Sequence, residues 1–195
     1  LDRSMIGAYG HDDRVCSYPA FSALFDTETD GKTVMVVLAD KEEIGSEGTT
    51  GMQCAIFTDL IDAIAYSFDT TSAVIRANSK CLSADVNAAY DPNFKDVNEP
   101  MNSTYVSCGA GLTKFTGARG KSGSNDASAE FMAEVRKMFN DEGVIWQTGE
   151  LGKVDQGGGG TVAKYIAKMN IDTVDIGVAV VSMHAPYEVI SKADV

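Results

Sequence analysis

Glu42 and Glu43 stand side by side in Asp40-Lys41-Glu42-Glu43-Ile44-Gly45-Ser46, directly after the apolar, β-branched run Thr33-Val34-Met35-Val36-Val37-Leu38-Ala39. That run has the composition of a buried parallel strand, which has no use for charge along its length. The acids therefore fall where the strand ends, and Gly45 and Gly48 allow a sharp exit toward a helical pattern that begins at Met52. Open α/β sheets place their sites at the carboxyl ends of strands. Adjacent carboxylates there suit a division of labour in which one binds a metal ion and the other moves protons.

Three other places repeat the theme. Cys81-Leu82-Ser83-Ala84-Asp85-Val86 reads as a short strand ending in an acid, Asp85. Val174 to Val181 reads as an apolar strand that Ser182-Met183-His184-Ala185-Pro186-Tyr187-Glu188 terminates, which leaves His184 just past a strand end. Gly10-His11-Asp12-Asp13-Arg14 precedes a helical pattern at Ala20, Leu24 and Phe25, where acids are favoured as caps of the first turn. A carboxylate has two oxygens and can cap a helix and bind a metal at once. Acids at 12, 42, 43 and 85 with an imidazole at 184 make an oxygen-rich set with one nitrogen. Such a set suits zinc, manganese or cobalt in a hydrolytic site, and similar acid collections also serve phosphate-handling and magnesium enzymes.

The elements that must position these groups follow from periodicity. From Gly51 to Phe68 the apolar residues Met52, Ile56, Leu60, Ile61 and Ile64 recur at helical spacing, and a second helix is expected over Asp126–Phe139 with Phe131, Val135 and Met138 on one face. The stretch from Thr70 to Lys80 fits either element type. Pro92, Pro100 and their Asn and Asp neighbours make 91–104 a loop. Thr104–Val106 and Gly111–Phe115 read as strands of a sheet edge or hairpin, and Val144–Gln147 as another short strand.

Two glycine-rich segments stand apart. Gly117 to Asn125 is basic but lacks the glycine spacing of a phosphate-binding loop. Gln156 is followed by four glycines and Thr161, opening a helix over Val162–Met169. Consecutive glycines cost backbone entropy, on the order of 1 kcal/mol each relative to alanine. A linker is one explanation. Close approach of backbone N–H groups to a ligand, with Gly158 and Gly159 as its centre, is the preferred one.

Composition narrows the function classes. The chain has 195 residues, 44% apolar and 23% charged, which is ordinary for one globular domain. A formal net charge of -12 argues against nucleic acid or an anionic membrane as partner. No apolar run reaches the roughly 20 residues that span a bilayer and no signal peptide pattern opens the chain, so a cytoplasmic location is expected. Cys16, Cys54, Cys81 and Cys108 form no C-x-x-C pair and read as buried free thiols.

Five motifs now carry a resemblance. His11-Asp12-Asp13-Arg14, Asp40 to Ser46, Ser83-Ala84-Asp85-Val86, Gly157 to Thr161 and Ser182 to Glu188 occur in the order seen in the aspartyl aminopeptidase and aminopeptidase I family of metallopeptidases, across nearly the whole chain. The resemblance implies a phosphorylase/hydrolase-like α/β fold, a three-layer α/β/α arrangement around a mixed sheet, with two divalent metal ions, zinc before cobalt or manganese. It implies that Asp12 bridges the metals, that Glu43 and His184 complete one ion's protein ligands, that Asp85 binds the second, and that Glu42 is the general base. Its substrates would be peptides with a free N-terminus. The family name implies a preference for acidic N-terminal residues, for which Lys114, then Arg119 and Lys121, are the basic candidates.

The departures from the family pattern are specific. Family members supply a further histidine ligand from an earlier segment, ahead of a dimerisation domain, and His11 does not match it. Ala88 stands where many relatives have a histidine. Residues 1–195 therefore read as a single, partial catalytic domain, truncated at the N-terminus and lacking the C-terminal helix, of a protein that is a homo-oligomer at full length. The alternative is a catalytically impaired remnant that serves as a metal-binding or assembly module, and a carboxypeptidase or deacylase on the same fold is a third reading.

Overall fold

The computed structural model describes residues 2–119, 122–153 and 155–195. In chain order its strands and α-helices are β1 (Met5–Ala8), α1 (His11–Asp26), α2 (Ile56–Ser67), α3 (Ser72–Ala77), β2 (Lys80–Ala84), β3 (Asn87–Ala88), β4 (Ala110–Thr113), α4 (Ala129–Asp141), β5 (Trp146–Thr148), α5 (Ala163–Ala167), β6 (Asp172–Gly177), β7 (Ala179–Val181) and β8 (Glu188–Ser191). The strands form two mixed four-stranded sheets, ordered β1-β8-β7-β3 and β2-β6-β4-β5. The β2–β6 and β3–β7 pairs are parallel, whereas β4 runs antiparallel to β6. Backbone hydrogen bonds from Asp85 to Ile176, Asn87 to Val178 and Ala89 to Val180 carry the ladder from one sheet into the other.

The expected strand over Val174–Val181 is thus divided between two sheets. The division lies beside Gly177, where a Cβ would come within 1.7 Å of the Asp85 carbonyl oxygen. Only glycine lets the two chains approach so closely, and the approach sets Asp85 at the junction. The segment expected as an edge or hairpin strand at 111–115 is instead the interior strand β4, between β6 and β5. Thr104 contributes only an isolated bridge to Ala89.

Helices cover both faces of the second sheet. The α4 side chains Phe131, Val135 and Phe139 pack on Leu112 and Val174. Phe139 takes the buried position expected for Met138, and the Ser128 hydroxyl caps this helix by accepting the Phe131 N–H at 3.2 Å. On the other face Ile61 of α2 and Ile166 of α5 meet Met52 and Ile171, with Ile75 of α3 and Cys81 at the margin. Val15 and Cys16 of α1 pack on Val86, Val178, Val180 and Ile190. Thr71 caps α3, which resolves the ambiguous stretch after Thr70 as helix. Of the four free cysteines Cys16 is buried, Cys54 and Cys81 are partly covered, and Cys108 is exposed, contrary to the expectation of four buried thiols.

The run Thr33–Ala39 departs most from its sequence pattern. It joins no sheet, and Asp40 makes only one isolated parallel bridge, to Gly51. Val34, Met35, Val37 and Leu38 are exposed. A strand requires a partner for its N–H and C=O groups, and among the described residues none lies alongside. Tyr18, Phe21 and Phe25 of α1 and Ile56, Leu60 and Tyr66 of α2 are exposed as well. No helix of the described residues is long and apolar enough to cross a membrane.

Candidate metal centre

The acidic pair is held by means other than the expected strand. Glu42–Ile44 is a single 3-10 turn flanked by Lys41 and Gly45, both left-handed. The Gly45 carbonyl accepts hydrogen bonds from the Tyr165 hydroxyl of α5 at 3.0 Å and from Gln53 Nε2 at 2.8 Å. The turn is therefore tied to α5 and to the segment entering α2. Asp12 and Asp13 have non-helical backbone angles at the start of α1, after the left-handed Gly10, and the peptide bond between them is cis.

Three of the expected ligands converge. His184 Nε2 lies 2.9 Å from Asp12 Oδ2 and 2.8 Å from Glu43 Oε1. Asp12, Glu43 and His184 each offer a ligand atom within 4.8 Å of the others, and a second such group is Asp12, Asp13 and Asp85. Asp12 is shared between them. Asp13 completes the second group, and sequence reasoning did not select it as a ligand, because only the folded chain brings it to Asp85.

Glu188 was also passed over, although an acid opening the apolar strand β8 was a visible signal. Its side chain is buried. One carboxylate oxygen accepts the Asp12 backbone N–H at 3.1 Å and the other accepts the His184 backbone N–H at 2.8 Å. One acid thereby anchors the two segments that meet at the centre. The other histidine, His11, has Nε2 3.3 Å from the Ile6 carbonyl and belongs to neither group.

The electrostatics call for a cation. Burial, then the Glu43 carboxylate, push Asp12 up to about 6, with His184 opposing. Burial lifts Asp13 to about 7, and burial together with Asp13 lifts Asp85 to about 8. Glu42 is raised by burial and then by Glu43 and Asp12, against the attraction of Lys164. Crowded carboxylates repel one another unless a positive charge stands between them. One oxygen of Asp13 is buried without a hydrogen-bond partner among the described residues. A mixed set of carboxylates and one imidazole at this spacing fits zinc.

The remaining predicted site residues lie in other settings. Lys114 Nζ pairs with the Asp126 carboxylate and donates to the Ala127 carbonyl at 2.9 Å. Gly159 accepts the Gly117 N–H at 2.7 Å and Gly157 accepts the Arg119 N–H at 2.9 Å. A Cβ on Gly158, where φ is +95°, would meet the Gly117 oxygen at 2.1 Å. The close backbone approach that these glycines permit is thus to the 117–119 segment. Lys121 lies outside the described residues, as does Gly120 of the same segment.

The family described as Aminopeptidase I zinc metalloprotease (M18) matches residues 1–195. The chain belongs to the M18 family. It is 48% identical to the probable M18 family aminopeptidase 1 of Clostridium acetobutylicum, covering 100% of this chain and 43% of that one. Its counterpart in Thermotoga maritima is 46% identical, with 44% of its length covered. The crystal structure of the M18 aminopeptidase from Thermotoga maritima superposes with a TM-score of 0.94, and that of aminopeptidase I from Clostridium acetobutylicum with 0.93. The α/β fold is therefore that of M18 aminopeptidases. The chain spans less than half the length of these relatives.

Proposed function

We propose that this chain forms the metal-bearing part of an aminopeptidase that hydrolyses the N-terminal peptide bond of peptides. The convergence of Asp12, Glu43 and His184 within 4.8 Å carries the reading. In it Asp12, Glu43 and His184 would hold one divalent ion, most simply zinc, and Asp12 with Asp85, helped by Asp13, would hold a second. When bound, the metal supplies Lewis acidity that lowers the pKa of a water and polarises the scissile carbonyl. Glu42, whose carboxyl is raised by burial and by neighbouring acids, takes the proton of the attacking water and delivers it to the leaving amine. Glu188 keeps the backbone of Asp12 and His184 at a fixed separation. Gly158 and Gly159 would act on substrate by shaping the loop pair that includes Gly117.

In this reading residues 1–195 are one part of a longer catalytic unit that assembles as a homo-oligomer, and the exposed Val34, Met35, Val37 and Leu38 are covered there by another segment. A metal-binding or assembly module without catalysis is the second reading, favoured by the same exposed segment. Release of the first residue from free and N-acetylated peptides, with and without chelator, tests the first. Turnover of the free peptide alone, lost on chelation and restored by zinc, is the expected result, and metal-independent cleavage or cleavage of the blocked peptide would refute it. An acidic preference rests on Lys114, whose ammonium already pairs with Asp126. Peptides beginning with Asp, Leu and Lys measure it.

A further inference from the structure

Asp175 of β6 is a buried carboxylate that belongs to neither ligand group. It is only 4% exposed and stands in register with Ser83 of β2 and Thr113 of β4. Its Oδ1 accepts the Thr161 hydroxyl at 2.6 Å. Its Oδ2 is buried and, like the buried hydroxyl oxygen of Thr116, closes no hydrogen bond among the described residues; the Ser83 hydroxyl across the strand pair lies near enough to favour the ionised carboxylate. Asp175 and Thr116 line a cavity of about 10 Å³ together with Asp85, Asn87, Thr113 and Thr161. That volume accepts one water-sized occupant.

The chemistry of the lining selects the occupant. No lysine, arginine or histidine reaches this cavity among the described residues, so the Asp175 carboxylate is buried without a counter-charge. A water could satisfy hydrogen bonds there but would leave the charge uncompensated. The hydroxyls of Thr113, Thr116 and Thr161 supply neutral oxygens, and Thr113 donates its own proton to Asn87 Oδ1 at 3.3 Å, so its oxygen can still face a cation. Asp85 also lines the cavity but belongs to the second ligand group, where a divalent ion would take up its charge, so Asp175 is the carboxylate left to this cavity. Hard cations prefer such oxygen sets.

We infer that the cavity between the segment following β2, strands β4 and β6, and Thr161 is a binding site for a monovalent alkali cation, potassium or sodium, with Asp175 as its charged ligand. Thr161 directly follows the glycine run, so occupancy fastens the end of that run to the sheet.

Thermal unfolding of the zinc-loaded chain in potassium, sodium and choline chloride, each at about 0.1 M to hold the screening constant, tests the site. A cation bound with millimolar affinity raises the melting temperature by about 5 °C over choline. Asp175→Asn removes that difference and Thr116→Val reduces it. Equal melting of the wild-type chain in all three salts overturns the site, as does a salt-specific difference that survives in Asp175→Asn. Should Asp175→Asn fail to fold, crystals of the wild-type chain grown with thallium(I) decide. An anomalous peak beside Asp175 Oδ2 supports the site, and its absence leaves water as the occupant and overturns it.

Discussion

Glu188 and Asp12 are 176 residues apart in sequence, yet the Glu188 carboxylate accepts the Asp12 backbone N–H at 3.1 Å. The second oxygen holds the His184 N–H, so one buried side chain, 2% exposed, sets the separation of two segments that carry metal-ligating groups. Glu188→Ala strands two N–H groups, and the expected cost is about 2–4 kcal/mol of stability. Metal affinity should fall roughly 10- to 100-fold, as when a partner that orients a ligand is lost. Glu188→Gln keeps one accepting oxygen and should fall between. Denaturant unfolding and metal titration of the three proteins check this, and equal affinity in all three would remove the anchoring role.

Glu42 and Glu43 are neighbours with different surroundings, and the difference predicts different losses. Glu43 touches His184 at 2.8 Å, whereas Glu42 stands half-buried beside the cluster with no ion pair among the described residues. Glu43→Ala should lose bound metal and activity together. Glu42→Gln should keep its metal while turnover falls by about 10²–10⁴-fold, the usual share of a general base. Metal analysis beside peptide hydrolysis reads both. Equal metal loss in the two variants would contradict the allocation.

Much of this centre was legible because candidate ligands such as Asp12 and Asp85 sit at element ends, which short-range pattern marks well. The strand before Asp85, the chain reversal carrying His184, and α4 all follow local periodicity. What escaped depends on contacts distant in sequence. Asp13 becomes a candidate ligand only when β2 delivers Asp85 to it, and Glu188 matters only because Asp12 and His184 converge on it. Thr33–Ala39 has strand composition, but a strand exists only through its neighbours, and that pairing is written in no local pattern. The four glycines suggest close approach of backbone N–H groups to a ligand, whereas the neighbour in the structure is the Gly117 backbone.

The exposed face at Val34, Val37 and Leu38 predicts the behaviour of the 195-residue chain in solution. An unpaired apolar segment offers both backbone donors and side chains to another copy. Self-association that grows with concentration is expected by light scattering. Val37→Lys with Leu38→Lys should suppress it while changing unfolding stability by no more than about 0.5 kcal/mol, because neither side chain is packed. A large loss of stability in that double variant would mean that the face is already covered within the chain.

Asp175 makes stability depend on pH in a defined direction. Burial raises its carboxyl to about 6 from 3.8, against the hydroxyls of Thr161 and Ser83. Between those values the folded chain holds a proton that the unfolded chain has released, so the favourable contribution is full below about 4 and disappears as pH rises through about 6. The loss amounts to about 3 kcal/mol at most, from 1.36 kcal/mol per unit. Asparagine keeps an oxygen for the Thr161 hydroxyl and never ionises. In choline chloride the melting temperature of Asp175→Asn should therefore gain on wild type from pH 4 to pH 7, and potassium or sodium should close the gap by neutralising the carboxylate. A constant difference between the two proteins across that range would show that Asp175 does not ionise in its cavity.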